Sequence, residues 1–359
     1  MRLLVLCGFE PTSTFSYHTA WPRHLAADSR FQCTIVNLLD RRWFARLRAI
    51  AAARAGRFDA IVLLHSVFSN GRLLDGRLFD IVRRAPQPTV YFIGNEYKLM
   101  PEKMAFCEEL GVALLISQSS APAIHDLYRG RLGCAVIGIP NTGLDTALIA
   151  PRTPRASRPI DLGYRADDSP MYLGHRERRD MAEFFTQTAA RYGLTVDISL
   201  DPTDRLPERE WAAFLDRCAG QLGTEAGGDY FELDDRTRHA VNAFSAAHPS
   251  ASFADVFDRF FRGYQGAVPL RIMSGRNVEA AGTKTVQILF EGCYDGYFVP
   301  NEHYIPLEKD FSNADEAIRK FRDLSFSSRL VDNAYSMVLE SLTYPKLIDR
   351  LRAALGDLL

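Results

Sequence analysis

A carboxylate on a short helix is the first feature of this sequence that could do chemistry. The stretch "SGRNVEAAGTKTVQILFEG" (274–292) predicts a small-residue helix starting at Glu279, followed by a strand over 286–290. A carboxylate at a helix start can accept hydrogen bonds from vicinal hydroxyls, as on a ribose, and the nearby backbone N–H groups suit a diphosphate. The alternative is that Glu279 only stabilises its own helix start electrostatically.

Polar residues around Glu279 are predicted to share its pocket. Arg276 and Asn277 precede it and are expected to contact phosphate or base, unless they are ordinary polar loop residues. The glycine turn after it contributes the remaining predicted nucleotide-sugar contacts, which are Gly282, Thr283 and Lys284.

Two other segments carry candidate donor-side residues. Arg165 follows a predicted strand and is expected to neutralise a leaving diphosphate, or else to be a surface arginine. In "LGTEAGGDYFELDD", Glu225 is followed by Gly227, and glycine lets backbone approach a ligand closely. An ordinary turn is the alternative interpretation of that segment.

The first part of the chain offers acceptor-side candidates. His18, in the polar segment "FEPTSTFSYHTAW", is predicted to lie in a loop and to orient a sugar or act as a base. The alternative is an exposed loop histidine. His65 and Glu96 end predicted strands, and the carboxyl ends of parallel strands are where ligands bind.

Two α/β domains must position these residues. Apolar runs alternate with helical patterns, including a helix over 43–55, which predicts a doubly wound parallel sheet over 1–150. The segment 151–159 is rich in proline and arginine, as linkers are, and a second α/β domain follows over 160–340. The two domains are expected to enclose a cleft. The leucine-striped helix over 341–359 is expected to pack back on the first domain, with contact to a membrane surface as the alternative.

Composition excludes several classes of protein. Lys and Arg total 43 against 44 Asp and Glu, so no global charge favours nucleic acid. The six cysteines form no CxxC pair, which argues against a zinc site or a disulfide framework and for a cytoplasmic protein. The sequence lacks the dinucleotide-binding motif GxGxxG, so NAD or FAD is not expected. It also lacks the P-loop motif GxxxxGK[ST] and the nucleophile-elbow motif GxSxG, which argues against a P-loop nucleotide hydrolase and a serine hydrolase of that type.

Three segments resemble GT-B glycosyltransferases of the group-1 and CgeB-like (spore maturation protein-like) type. "VEAAGTKTVQILFEG" resembles the signature "EAxAxGxPVV", whose glutamate grips the nucleotide ribose. "VIGIPNTGLDTALIAP" (136–151) is similar to "IPNGVDxxxFxP", and 301–323 resembles the tail of these enzymes. The resemblance implies two Rossmann-like domains facing a cleft. It also implies metal-independent, retaining sugar transfer from a nucleoside diphosphate sugar, with no cofactor.

The sequence departs from that pattern at two places. Arg271 stands eight residues before Glu279, where retaining enzymes carry a second glutamate. No lysine completes the phosphate clamp after Arg165, so Arg176 or Lys284 is expected to replace it. The acceptor, whether a sugar, lipid-linked glycan, metabolite or protein, is left open. A nucleotide-sugar epimerase and a non-catalytic binding protein are the alternative functions.

Overall fold

The structure is a computed structural model that describes residues 1–10, 15–40, 51, 57–264 and 267–359. These residues form two compact units. The first contains Met1–Asn141, Phe231–Arg236 and Tyr344–Leu359, and the second contains Thr142–Tyr230 and Thr237–Thr343. Residues 142–150, which the sequence analysis placed in the first domain, thus belong to the second unit. The predicted helix over 43–55 lies almost wholly outside the described residues.

The first unit is built on a six-stranded parallel sheet in the order β2-β1-β3-β4-β5-β6. Its strands read as continuous apolar runs because both faces of the sheet are covered by helices. The strands are β1 (Arg2–Cys7), β2 (Gln32–Asn37), β3 (Ala60–Leu63), β4 (Thr89–Phe92), β5 (Val112–Ser117) and β6 (Ala135–Gly138). The labelled helices are α1 (Ser16–Ala27), α2 (Gly76–Arg83), α3 (Met100–Leu110) and α4 (Pro122–Leu132).

The terminal helix Tyr344–Leu358 completes this unit. Its leucine stripe is buried, at Leu347, Leu351 and Leu355. The Tyr344 ring stacks on His24 of α1, with the ring centroids 4.6 Å apart. This burial favours core packing over membrane contact for the helix. Within the described ranges, no helix is long and apolar enough to span a bilayer.

The second unit repeats the arrangement with a five-stranded parallel sheet in the order β13-β12-β9-β7-β8 and a separate antiparallel pair, β10-β11. The strands are β7 (Ile160–Arg165), β8 (Val196–Ser199), β9 (Cys218–Gly223), β10 (Ala226–Gly228), β11 (Leu270–Ile272), β12 (Val286–Phe290) and β13 (Ile305–Leu307). The helices are α5 (Glu177–Tyr192), α6 (Glu208–Arg217), α7 (Arg236–Ala247), α8 (Phe253–Phe260), α9 (Gly275–Gly282), α10 (Ala314–Arg322) and α11 (Leu324–Ser341).

In each sheet the order in which strands are added reverses once: the first two strands extend the sheet one way, and the later strands extend it the other way. That point lies between β1 and β3 in the first unit and between β7 and β9 in the second. In such sheets ligands bind beyond the carboxyl ends of the strands, beside this switch point. The residues that follow β7, β9 and β12 therefore occupy the edge of the second sheet that is suited to a ligand.

Two local predictions were wrong. His18 does not lie in a loop, because α1 begins at Ser16 and places His18 in its first turn. Glu279 does not start its helix, because α9 begins at Gly275, after the N-cap residue Ser274. The turn after α9 also depends on a residue other than glycine: the positive φ, +52°, belongs to Lys284.

Candidate functional site at the carboxyl edge of the second sheet

The start of α9 is fixed by its own side chains. Ser274 N donates to Asn277 Oδ1 at 3.1 Å, so the asparagine caps the helix. Asn277 Nδ2 in turn donates to Gln287 Oε1 of β12 at 3.0 Å. One end of the Asn277 side chain thus caps α9 and the other ties the helix to β12, and its predicted contact with phosphate or base stays a prediction.

Arg276 and Glu279 lie three residues apart and so share one face of α9. Arg276 Nη1 donates to the carbonyl oxygen of Arg165, at the end of β7, at 2.9 Å. Its guanidinium carbon lies 6.0 Å from the centroid of the Tyr164 ring. Glu279 is buried, and its Oε2 accepts a hydrogen bond of 2.7 Å from Trp211 Nε1 of α6. This face of α9 therefore presents a guanidinium and an oriented carboxylate side by side.

Arginines also crowd the start of α5, at Arg176, Arg178 and Arg179. The first and third are ion-paired, with the carboxylates of Asp168, Asp180 and Glu183. Arg178 differs, because within the described ranges it forms no ion pair. Its recorded hydrogen bond is a long one, 3.5 Å from Nη1 to the carbonyl oxygen of Asp167.

Arg178 and Arg276 act on each other electrostatically. Burial lowers the pKa of Arg276, and the positive charge of Arg178 lowers it further. Arg276, like Arg178, has no carboxylate ion-paired to it in the part of the chain that the structure describes. Both charges also act on the buried Tyr164 hydroxyl, whose pKa is raised by burial. The charges of Asp167 and Glu279 oppose this lowering of the Arg276 pKa without forming an ion pair with the guanidinium. Two guanidiniums at a strand end that have no ion-paired carboxylate among the described residues form a candidate site for an anion.

The side chain of Arg165, the predicted diphosphate clamp, already has partners within the protein. Its guanidinium donates to the side chain and to the carbonyl oxygen of Asp197, the latter at 2.9 Å. It also stacks on Phe214 of α6, 4.6 Å from the ring centroid. Arg165 approaches the anion site through its main-chain carbonyl, which accepts from Arg276.

Glu225 and Gly227 lie at the same edge, just after β9. Glu225 Oε1 accepts from the backbone N–H groups of Cys293 and Tyr294, at 3.0 and 2.7 Å. Burial raises the pKa of Glu225. Gly227 has φ +91°, and a Cβ there would lie 1.9 Å from the Leu270 carbonyl oxygen. Glycine is therefore required at this position by the β10–β11 pairing.

The structure does not bring Gly282, Thr283 and Lys284 to this edge. Arg158, two residues before β7, donates to the Thr283 carbonyl oxygen at 2.7 Å, so this turn lies at the amino ends of the strands. Gly282 packs on the first residues of the second unit, where a Cβ would lie 2.2 Å from Leu144 Cδ1. Lys284 Nζ pairs with Asp332 of α11 at 2.8 Å. These three residues therefore lie away from the anion site.

In the first unit, His18 and His65 both contact the ring of Tyr17. The Tyr17 ring centroid is 4.5 Å from that of His18 and 5.4 Å from that of His65. Both Nε2 atoms are buried without a hydrogen-bond partner among the described residues. Burial lowers the pKa of His65 to about 3 and that of His18 to about 4. Both imidazoles are therefore neutral at pH 7 and can accept a hydrogen bond, although burial makes them weak bases.

Glu96 is a buried carboxylate with several internal donors. Its Oε2 accepts from Ser117 and Tyr128 at 2.8 and 2.7 Å, and its Oε1 accepts from the Gln118 amide at 2.7 Å. Burial raises its pKa, and these hydrogen bonds oppose that rise. The side chain ties β4 to β5 and α4. The predicted acceptor-side role of Glu96 stays a prediction.

The sequence analysis did not single out Arg178, His175, Glu177 or Trp211. One signal was present in "GHRERR". Positive charges at a helix N-terminus are disfavoured by the helix dipole, so three arginines there break a local rule. Such violations are expected at functional sites. Which of the three arginines finds a carboxylate depends on tertiary contacts that the sequence does not display.

Comparison with solved structures identifies the fold. HepE of Anabaena, solved in complex with UDP-glucose, is similar with a TM-score of 0.56 and 11% identity, covering 99% of this chain and 100% of that chain. Sucrose-phosphate synthase of Thermosynechococcus elongatus is similar with a TM-score of 0.56 and 11% identity, covering 99% of this chain and 98% of that chain. The DNA-modifying beta-glucosyltransferase, studied with and without uridine diphosphoglucose, is similar with a TM-score of 0.56 and 9% identity, covering 99% of this chain and 100% of that chain.

These comparisons show the predicted GT-B fold of two Rossmann-like units. No protein-family model and no curated protein matches the chain. The CgeB-like assignment therefore stays a resemblance.

Proposed function

We propose that this chain is a glycosyltransferase that moves a sugar from a nucleoside diphosphate sugar to an acceptor hydroxyl. The observation that carries the proposal is the guanidinium pair of Arg178 and Arg276, which lacks a carboxylate partner among the described residues and lies at the carboxyl edge of a GT-B sheet. The structural neighbours HepE and beta-glucosyltransferase are recorded with UDP-glucose, which supports a donor of this class.

In this proposal Arg178 and Arg276 bind the diphosphate, in place of the expected Arg165 with Arg176 or Lys284. Their charges stabilise the negative charge that grows on the leaving group as the glycosidic bond breaks. No internal ion pair has to be broken first. Arg165 positions Arg276 through its carbonyl oxygen.

Glu279 accepts hydrogen bonds from the ribose hydroxyls in this scheme, and Trp211 orients its carboxylate. Arg276 and Glu279 are three positions apart on α9, so one helix face serves diphosphate and ribose together. Glu225, behind the backbone of Cys293 and Tyr294, shapes the floor of the donor site.

The transfer is proposed to need neither metal nor cofactor, because guanidiniums supply the positive charge at the leaving group. Retention of the anomeric configuration follows only from the resemblance to group-1 enzymes. It would have the acceptor attack from the face that the diphosphate leaves. His18 and His65, neutral at pH 7, are proposed to accept hydrogen bonds on the acceptor side. The acceptor class stays open among sugar, lipid-linked glycan, metabolite and protein, in a cytoplasmic setting.

The test is nucleotide binding in three single variants. Arg178→Gln and Arg276→Gln should each weaken UDP binding about ten- to a hundredfold in calorimetry, because each removes a charge-assisted hydrogen bond. Arg179→Gln is the matched control: it removes a neighbouring charge that Asp168 and Glu183 already neutralise. Equal losses in Arg178→Gln and Arg179→Gln would reduce the effect to general electrostatics.

Turnover separates the alternatives. Release of UDP from UDP-glucose that requires an added acceptor supports transfer. A new nucleotide sugar formed from donor alone would indicate an epimerase, and tight binding without any product would indicate a binding protein.

A further inference from the structure

His175 holds a buried nitrogen that lacks a hydrogen-bond partner within the described residues. The residue lies two positions before α5 and is only 6% exposed. Its Nε2 lies 3.1 Å from the carbonyl oxygen of Gly227. A carbonyl can only accept, so this contact assigns the proton to Nε2 and leaves Nδ1 as a bare acceptor. Nδ1 is the atom without a partner.

Glu177 presents a second acceptor beside it. Glu177 Oε2 lies 4.0 Å from His175 Nδ1. Burial alone would raise the pKa of this carboxyl, but Arg271, His175 and Lys309 lower it to about 2, so it is ionised at pH 7. Burial lowers the pKa of His175 to about 4, so the imidazole is neutral there. Neither group has a proton to offer the other.

Arg271 fixes the Glu177 carboxylate in place. The guanidinium donates to both carboxylate oxygens, at 2.9 and 3.0 Å, and also to Asp229. Lys309 Nζ adds a contact of 2.7 Å to Oε1. In the described part of the chain, Oε2 accepts only from Arg271, so it keeps room for another donor.

The charges of this group cancel, unlike those of the guanidinium pair. Arg271 and Lys309 stand against Glu177 and Asp229, and His175 is neutral. The group therefore has no net positive charge to attract an anion, and the Glu177 carboxylate would repel another carboxylate. A neutral molecule with hydroxyl donors satisfies both acceptors, because one O–H can point to Nδ1 and a neighbouring O–H to Oε2.

The group lies at the same edge of the second sheet as the anion site. Glu177 directly precedes Arg178 at the start of α5, Gly227 follows β9, and Lys309 follows β13. We propose that His175 Nδ1 and Glu177 Oε2 form a subsite that accepts hydrogen bonds from adjacent hydroxyls of a neutral sugar. The inference rests on the proposed function, in which that sugar belongs to the nucleotide-bound donor. Arg271 is then a positioning residue that acts through Glu177.

Two substitutions at one position separate recognition from packing. His175→Gln places an amide nitrogen near Nε2 and keeps a donor for Gly227, but it removes the Nδ1 acceptor. His175→Asn places an oxygen near Nδ1 and gives up the Gly227 contact. Calorimetry on the full chain would compare UDP, GDP, dTDP and ADP with their glucose conjugates, and UDP-glucuronic acid would test the neutrality of the subsite.

We expect the wild-type chain to bind one glucose conjugate about tenfold more tightly than its parent diphosphate, which corresponds to about 1.4 kcal/mol. His175→Gln should abolish that ratio while leaving the affinity for the diphosphate unchanged. His175→Asn should keep the ratio and lower the melting temperature. UDP-glucuronic acid should bind no more tightly than UDP.

Each result bears on a different claim. A wild-type ratio near one, or an undiminished ratio in His175→Gln, would overturn the subsite while leaving nucleotide binding intact. Absence of binding by every diphosphate would overturn the proposed function itself.

Discussion

Replacing Arg271 by methionine should destabilise the second unit severely. The Arg271 side chain is 11% exposed and the Glu177 side chain 9% exposed, and the two are joined by bidentate contacts. Removing one partner of a buried ion pair leaves an uncompensated charge, at a cost of about 3–5 kcal/mol. Lys309 offsets only part of this loss, because its side chain is 56% exposed to solvent.

Urea denaturation of single and double variants measures this cost. Arg271→Met and Glu177→Gln should couple, the double variant being more stable than the sum of the two losses predicts, because Gln leaves no buried charge. Arg262→Met is the control, since its ion pair with Asp258 is exposed and worth about 1 kcal/mol at most. A loss for Arg271→Met no larger than the control's would refute the view that Arg271 serves Glu177 structurally.

The remaining predictions concern acid stability and two glycines. The pKa of His65 is lowered from 6.5 to about 3, so its stabilising contribution is complete above pH 6.5 and lost as pH falls toward 3. When the pH falls from 7.5 to 5, the unfolding free energy of the wild type should therefore drop by about 2 kcal/mol more than that of His65→Gln. Urea titrations at the two pH values measure both drops. Equal drops would contradict the burial of a neutral imidazole. Gly227→Ala should cost about 3 kcal/mol or more, since φ is +91° and the new Cβ meets the Leu270 carbonyl. Gly130→Ala, in α4 with open space around it, should be neutral or stabilising by up to about 1 kcal/mol, and thermal melts of both glycine variants beside the wild type measure the two effects.

Much of the architecture could be predicted from the sequence because parallel strands covered on both faces read as uninterrupted apolar runs. The limits of helices were harder to predict. Proline ordinarily favours the first turn of a helix, which would place the start of α1 beside Pro22. The helix instead runs from Ser16 through Pro22, which brings His18 onto the helix and next to Tyr17. At α9, the sequence predicted a helix that starts at Glu279, whereas the helix begins at Gly275 and is capped by Asn277.

The candidate site was only partly predictable, because the role of a charged residue depends on which tertiary partners neutralise it. The sequence predicted a phosphate clamp of Arg165 with Arg176 or Lys284, but in the structure each of these residues has a carboxylate partner. Periodicity does not show which arginine lacks one. The tautomer of His175 likewise depends on the carbonyl of Gly227, 52 positions away in the chain.

Binding of a nucleoside diphosphate through α9 and the start of α5 can be measured directly. Thermal unfolding would be measured with UDP, GDP, dTDP, CMP and ADP, in the wild type and in Glu279→Ala and Arg276→Gln. At about 100 times its dissociation constant, one diphosphate should stabilise the wild type by about 2.7 kcal/mol and stabilise both variants far less. No stabilisation by any nucleotide, or equal stabilisation of all three proteins, would contradict the account.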